Sequence, residues 1–213
     1  VRSAVILAGG GSRRLGREKA LLEFEGKPLL CWTMERLQLV ADEVIVVARS
    51  EEHARRLGEL AGCGSAALVW DSVEGFGPVA GLYAGMSRAG GDLVFATACD
   101  LPFLSPKVVE KLFLLAEGSI GYDAAVPQHP NEYVEPLHSV YSRVKMKAAC
   151  QRAIKNGERR IRAPLEELCI NHVSVERLRS LDEGLLTFFN LNTPLDLERA
   201  RRLWPKSDLI ESR

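Results

Sequence analysis

The sequence predicts an α/β fold: a mostly parallel sheet with helices on both faces, in three layers. Three observations carry this. Short apolar runs recur at Ala4–Ala8, Glu43–Ala48 and Leu93–Ala98, and a strand that is apolar throughout is one buried on both faces. Segments of helical period stand between these runs, which is the alternation of βαβ units. The first run ends in Gly9-Gly10-Gly11, the punctuation of a strand entering a glycine loop.

The elements follow in order. Pro28–Val40 carries Leu29, Leu30, Trp32, Met34, Leu37 and Val40 near helical spacing, with proline at its start. Glu43–Ala48 contains VIVVA, a second buried strand, and Glu51–Leu60 is polar and helical. Ala67–Trp70 reads as a short strand, Val79–Arg88 as a helix and Leu93–Ala98 as another buried strand. Ser105–Ala116 reads as a helix that Ser105 can cap, with Pro106 in its first turn. The C-terminal half is less regular. Strands are expected at Asp123–Pro127, Glu135–Tyr141 and Cys169–Val175, and helices at Arg143–Lys155 and Pro194–Leu203. No repeat, low-complexity stretch or linker divides the chain. Residues 1–204 read as one domain and 205–213 as a polar, frayed tail.

The 213 residues are ample for a real core, and 46% hydrophobic with 26% charged residues is ordinary for a globular protein. Lys+Arg and Asp+Glu are equal at 28 each, so global attraction to nucleic acid or to an anionic membrane is not supported. Any anion site must be built locally. The five cysteines are scattered and never form a C-x-x-C pair, which points to a reducing, intracellular compartment. The four histidines lack zinc-ligand spacing. No apolar run reaches the roughly 20 residues of a membrane span, and the first residues do not have the layout of a signal peptide. A cytoplasmic location without membrane attachment is therefore expected.

Three motifs carry the chemistry. After the first strand stand Leu7, Ala8, Gly9, Gly10 and Gly11, followed by Arg13, Arg14, Arg17 and Lys19. Glycines let the backbone turn N–H groups toward an anion, and the cations suit a polyphosphate. The Rossmann pattern fails because Arg14 stands where a glycine is needed, and Walker A fails at Arg17 and Glu18. A tight turn with a solvated basic edge is the alternative. Next, Asp100 directly follows the apolar run LVFATA and Cys99. That is the carboxyl end of a parallel strand, where open α/β sheets bind ligands. A carboxylate there can hold Mg²⁺, which bridges phosphate oxygens; capping the turn at Pro102 is the alternative. Third, Asp71 ends the strand at Trp70 and precedes Gly75-Phe76-Gly77-Pro78-Val79-Ala80-Gly81, a shaped loop leading into a helix N-terminus. An Asx turn with a helix start is the alternative.

Two further segments stand out. Gly157-Glu158-Arg159-Arg160-Ile161-Arg162 places arginines after a turn; they suit a phosphate as planar forks, or form a solvated loop. In Asn190-Leu191-Asn192-Thr193-Pro194, Thr193 is a good cap and Pro194 a good first helical residue. Capping does not account for two asparagines spaced two apart, which share one side if the segment is extended.

The stretch LAGGGSRRLGREKALL resembles the L-A-G-G-x-S-x-R-M-G-x-D-K signature of molybdenum cofactor guanylyltransferases and their nucleotidyltransferase relatives, with Leu15 for Met and Glu18 for Asp. CDLPF resembles C-D-x-P-[FY], Asp71 with GPVAG resembles D-x(n)-G-P-x-A-G, and NLNTPLDL resembles N-[VIL]-N-T-P-E-[DE]-L. GERR and PLHSVY match further blocks, and the likeness runs from Val5 to Leu203. The resemblance implies a single Rossmann-like nucleotidyltransferase domain. It implies nucleotide binding by Leu7, Ala8, Gly9, Gly10, Asp71, Gly77, Pro78 and Gly81, and phosphate contacts from Arg14 and Lys19. It also implies Mg²⁺ on Asp100 and contacts of Arg159, Arg160, Asn190 and Asn192 with the cofactor substrate. His138, within PLHSVY, reads as a packed or interface histidine rather than a general base. The implied reaction is transfer of GMP from GTP to the terminal phosphate of molybdopterin cofactor, releasing pyrophosphate. Transient contact with cofactor-biosynthesis proteins or molybdoenzymes goes with it. The rivals are a cytidylyltransferase on the same cofactor, a guanylyl- or uridylyltransferase on a sugar or lactate phosphate, and a non-catalytic nucleotide-binding module. Retention of Lys19 and Asp100 counts against the last. The reading requires the N-terminal loop to face Asp100 across a triphosphate-sized gap.

Overall fold

A computed structural model of the chain describes residues 1–10, 18–61, 66–71 and 76–207. The expected alternation is present. β1 (Arg2–Leu7) leads through the hairpin β2 (Glu23–Phe24) and β3 (Lys27–Pro28) into α1 (Leu29–Leu37). Then come β4 (Glu43–Ala48), α2 (Glu51–Ala61), β5 (Ala67–Trp70), α3 (Gly77–Arg88), β6 (Leu93–Ala98) and α4 (Pro106–Glu117). The C-terminal half supplies β7 (Ala124–Gln128), β8 (His138–Ser142), α5 (Arg143–Lys155), α6 (Arg162–Leu165), β9 (Ile170–Ser174) and α7 (Pro194–Ser207).

The main sheet has the order β5-β4-β1-β6-β8-β7-β9. β1 pairs in parallel with both β4 and β6, and β4 with β5. β8 runs antiparallel between β6 and β7, and β9 is again parallel to β7. Register brings Leu7 beside Val47 on one side and Ala98 on the other. The carboxyl ends of β5, β4, β1 and β6 therefore share one edge, and the order reverses at β1, the position where such sheets hold ligands.

Alternation along the buried strands sorts the core into two layers. Ala4 and Ile6 of β1, with Phe95 and Val140, pack against α1, α2 and α4. Val5, Ile45, Val47, Val94 and Ala96 face α3 and α5. A third cluster lies off the sheet, where Phe24 of the hairpin meets Phe103, Leu191 and Trp204. Trp204 lies 5.0 Å from Phe24 and 4.4 Å from Trp32, ring centre to ring centre. Trp32 donates its indole N–H to the Phe24 carbonyl at 2.8 Å, so α7 closes onto the start of the chain.

The differences from expectation have physical causes. The strand expected at Glu135–Tyr141 begins only at His138. Pro136 has no N–H to give a ladder, Glu135 N–H bonds back to Pro127 O at 3.0 Å, and His138 N–H closes a turn on Glu135 O at 3.1 Å. The β2–β3 hairpin turns through Glu25 (φ 48°) and Gly26 (φ 83°). Two positive φ values are what a tight hairpin requires, but glutamate is not a residue that announces one. α7 extends through Pro205 to Ser207. Cys31 is disulfide-bonded, which overturns the all-thiol reading; Cys99, Cys150 and Cys169 are free. Scattered spacing says nothing about proximity in space, and the cysteines no longer argue for a reducing compartment. Among the described residues no helix is long and apolar enough to cross a membrane.

α3 packs tightly on the sheet at Gly85, where an added Cβ would stand 2.4 Å from Val5 Cγ1 and 3.3 Å from Val47 Cγ2. Gly85→Val gains a few tenths of a kcal/mol in helix propensity and overpacks a β-branched contact, at about 1–3 kcal/mol. We expect a net loss of about 2 kcal/mol, read as a lowered urea midpoint at unchanged slope.

Candidate active site

A cavity of about 640 Å³ opens at the carboxyl edge of the sheet. Leu7, Gly9 and Gly10 from the end of β1, Val47 to Ser50 from the end of β4, and Asp71 beyond β5 form one side. Gly77, Pro78 and Gly81 at the N-terminus of α3 form the other. Local backbone explains the shape. An added Cβ at Gly9 would meet Arg49 Cβ at 3.3 Å, so glycine lets the β1 and β4 loops close on each other. Gly77 has φ +59°, a conformation that favours glycine, and it turns the chain into α3 with Pro78 in the first turn. Free amides at such a helix start favour anionic or polar edges. Ala8 turns its side chain into the core, and its N–H bonds to Val47 O at 2.9 Å. Asp71 lines the cavity with its N–H held by Ala48 O at 3.1 Å.

A smaller cavity of about 260 Å³ adjoins it, with Ala98 and Leu137 lining both. Asp100, Glu135, Tyr133, Phe188 and Asn190 line this second space. Asp100 thus stands beside the larger cavity rather than within it.

Lys19 stands against the Asp100 side of the smaller cavity. Its Nζ donates to Asp100 Oδ2 at 2.7 Å and to Asn192 Oδ1 at 2.5 Å. Leu191, between the two asparagines, donates its N–H to the Asp100 carbonyl at 2.9 Å. Thr193 and Asp196 form a reciprocal cap at the start of α7: Thr193 N–H donates to Asp196 Oδ2 at 2.8 Å and Asp196 N–H to Thr193 Oγ1 at 3.2 Å. The expected capping role of Thr193 is met. Asn192 therefore reaches Lys19 and Asn190 reaches the smaller cavity. The loop lysine and Asp100 lie on the same side of the molecule and touch directly in place of the expected gap. Arg14, with Arg13 and Arg17, lies outside the described residues.

The remaining Asp100 oxygen, Oδ1, is buried and has no hydrogen-bond partner among the described residues. An unpaired buried carboxylate oxygen is costly, and a cation would relieve it. Among the described residues no group of three or more His, Cys, Asp or Glu forms a metal set. One carboxylate suits Mg²⁺, which keeps waters and phosphate oxygens in its shell. Arg159 stacks over Phe76 at 5.4 Å, and its carbonyl lies 4.0 Å from the Cβ position of Gly77. It is therefore at the rim of the larger cavity. Arg160 is exposed, while the next residue, Ile161, lines the smaller cavity.

Arg49, Ser50, Tyr133 and Glu135 were not among the residues singled out by sequence. Arg49 directly follows an apolar strand, as Asp71 does, so the same reading of strand ends would have found it. A brace lies beneath it. His53 Nδ1 accepts from Arg49 N–H at 3.1 Å, which leaves the proton on Nε2, paired with the Glu18 carboxylate. Burial lowers the His53 pKa, opposed by Glu18 and assisted by Arg49 and Arg56. The residue before Lys19 is thus fastened to the β4 loop.

His138 is a buried neutral group, as expected of a packed histidine. Its Nε2 contacts Thr187 Oγ1 at 3.1 Å, its ring meets Phe95 and Phe188 edge-on, and burial pushes its pKa down to about 3. Below about pH 6.5 the unfolded chain takes up a proton that the folded chain refuses. Stability from this group is therefore present above pH 6.5 and lost as pH falls toward 3, by about 1.4 kcal/mol per unit. Between pH 7 and pH 5, His138→Phe should lose about 2 kcal/mol less stability than the parent in urea melts. Equal losses would show that this histidine does not set the acid response.

Comparison with known proteins shows the family and the fold. The profile of the MobA-like NTP transferase domain matches residues 4–173. A Methanosarcina mazei protein named "Probable molybdenum cofactor guanylyltransferase" is 38% identical over 208 residues, covering 92% of this chain and 88% of that protein. One of the same name from Natronomonas pharaonis is 38% identical over 202 residues, covering 94% and 96%. The crystal structure of molybdopterin-guanine dinucleotide biosynthesis protein A from Archaeoglobus fulgidus superposes with a TM-score of 0.84 at 36% identity, covering 97% of this chain and all of that one.

Proposed function

The chain belongs to the MobA-like NTP transferase family, and from that premise we propose that it transfers GMP from GTP to the terminal phosphate of molybdopterin cofactor, releasing pyrophosphate. The observation that carries this reading is the meeting of Lys19, Asp100 and Asn192 beside two adjoining cavities, Asp100 lining the smaller. The larger cavity takes the nucleotide, with its base among Leu7, Asp71, Pro78 and Gly81 and its phosphates directed past Gly9 and Gly10 toward Lys19. The smaller one takes the pterin. The acceptor phosphate is already ionised near neutral pH, so no general base is needed, and positioning and charge neutralisation do the work. Lys19 exchanges Asp100 for phosphate oxygen, with Arg14 as the second cation on the triphosphate. Asp100 is the residue to hold Mg²⁺, which when bound neutralises charge on the transferring phosphoryl group. Arg159 and Arg160 supply forks at the rim for the pterin's phosphate, and Asn190 and Asn192 complete the acceptor side. A dinucleotide product handed on to molybdoenzymes, and a cytoplasmic setting where GTP is plentiful, fit the same reading.

Asp100→Ala should lower Mg²⁺-dependent pyrophosphate release with the cofactor by roughly 100- to 1000-fold; full turnover would end the mechanism. Among GTP, CTP, UTP and ATP with Mg²⁺, GTP should raise the melting midpoint most. A larger shift with CTP would turn the assignment to a cytidylyltransferase.

A further inference from the structure

The smaller cavity has a chemistry that phosphate transfer does not explain. Among the described residues its lining contains no lysine or arginine, yet it includes the carboxylates of Asp100 and Glu135. Asp100 is engaged by Lys19. Glu135 meets a histidine: His129 Nε2 lies 2.9 Å from its Oε1. Burial raises the Glu135 pKa, and His129 opposes the rise. The excursion between β7 and β8 that carries Glu135 is held firmly. His129 N–H bonds to Tyr133 O at 2.8 Å, Glu132 N–H to His129 O at 2.9 Å and Glu135 N–H to Pro127 O at 3.0 Å. The His129 ring is packed 5.5 Å from Phe188 and 5.8 Å from Tyr133. A carboxylate fixed in a cavity wall whose described residues include no lysine or arginine is costly to fold. It suits a ligand that brings its own N–H donors.

A pterin offers such donors, since its 2-amino group and N3–H lie side by side and match the two oxygens of one carboxylate. We infer that Glu135 is the acceptor-specificity residue, accepting the amino-pyrimidinone edge of the pterin while the phosphate end points to the Lys19–Asp100 seam. His129 positions Glu135 by holding Oε1. This rests on the pterin reading of the acceptor given above.

The experiment is a steady-state comparison of the full chain with its Glu135→Gln variant, using GTP, Mg²⁺ and molybdopterin cofactor. Glutamine keeps the shape but replaces one acceptor oxygen with a donor. The KM for the pterin should rise roughly 10- to 100-fold, with the KM and melting shift for GTP unchanged. A second measurement covers a variant that folds poorly. Under saturating GTP, fluorescence titration should show the parent binding 6-hydroxymethylpterin more tightly than its 2-oxo counterpart, a lumazine, and the variant losing that preference. A parent that transfers GMP to the pterin, with a variant of unchanged pterin KM and unchanged preference, overturns the assignment of Glu135 alone. Both KM values rising together overturns it as well, because that is the mark of a general structural defect. A parent that transfers nothing to the pterin overturns the proposed function itself, and this assignment with it.

Discussion

The contact between Lys19 and Asp100 is the constraint on which the site depends. The lysine leaves the segment that follows the glycine loop, the aspartate ends the run that began as β6, and Asn192 arrives from the start of α7. Three distant parts of the chain meet within hydrogen-bonding distance. Both charges are largely shielded from water. Removing either would strand the other in a poorly solvated place, a larger penalty than the pair returns as attraction. The fold therefore has to bring them together, and the sheet does so by ending β1 and β6 side by side at Leu7 and Ala98.

Two unlike cavities share that edge. The larger is made mostly of backbone and small apolar groups, with Arg49, Ser50 and Asp71 as its polar side chains. Such a wall allows close approach at its glycines and offers amide donors without bulk. The smaller is acidic and aromatic. Ala98 and Leu137 belong to both, so the two spaces adjoin.

The parts legible in the sequence are those where local chemistry and the final environment agree. Apolar runs such as VIVVA are strands because both faces are covered, and Ser105, Thr193 and Pro194 stand at helix starts. Asp71 and Asp100 were readable because a carboxylate after an apolar strand has a known address at the edge of a parallel sheet. What escaped depends on contacts far along the chain. Glu25 at positive φ is imposed by the hairpin, not announced by it. Glu135 looked like part of a strand until Pro136 broke the ladder. The disulfide at Cys31 could not be read from spacing. The pairing of His53 with Glu18 joins two segments that each look like ordinary surface.

Trp204 carries a consequence for where the protein can be cut. It is held by Phe24, Trp32 and Phe103, while the other end of the same helix presents Asn192 to Lys19. The aromatic stack at the far end of α7 thus sets the angle at which an amide enters the catalytic seam. Shortening the chain by a few residues beyond Trp204 leaves this lever intact. Stopping before Trp204 would release it, so the tolerable C-terminus is fixed by chemistry some three helical turns away.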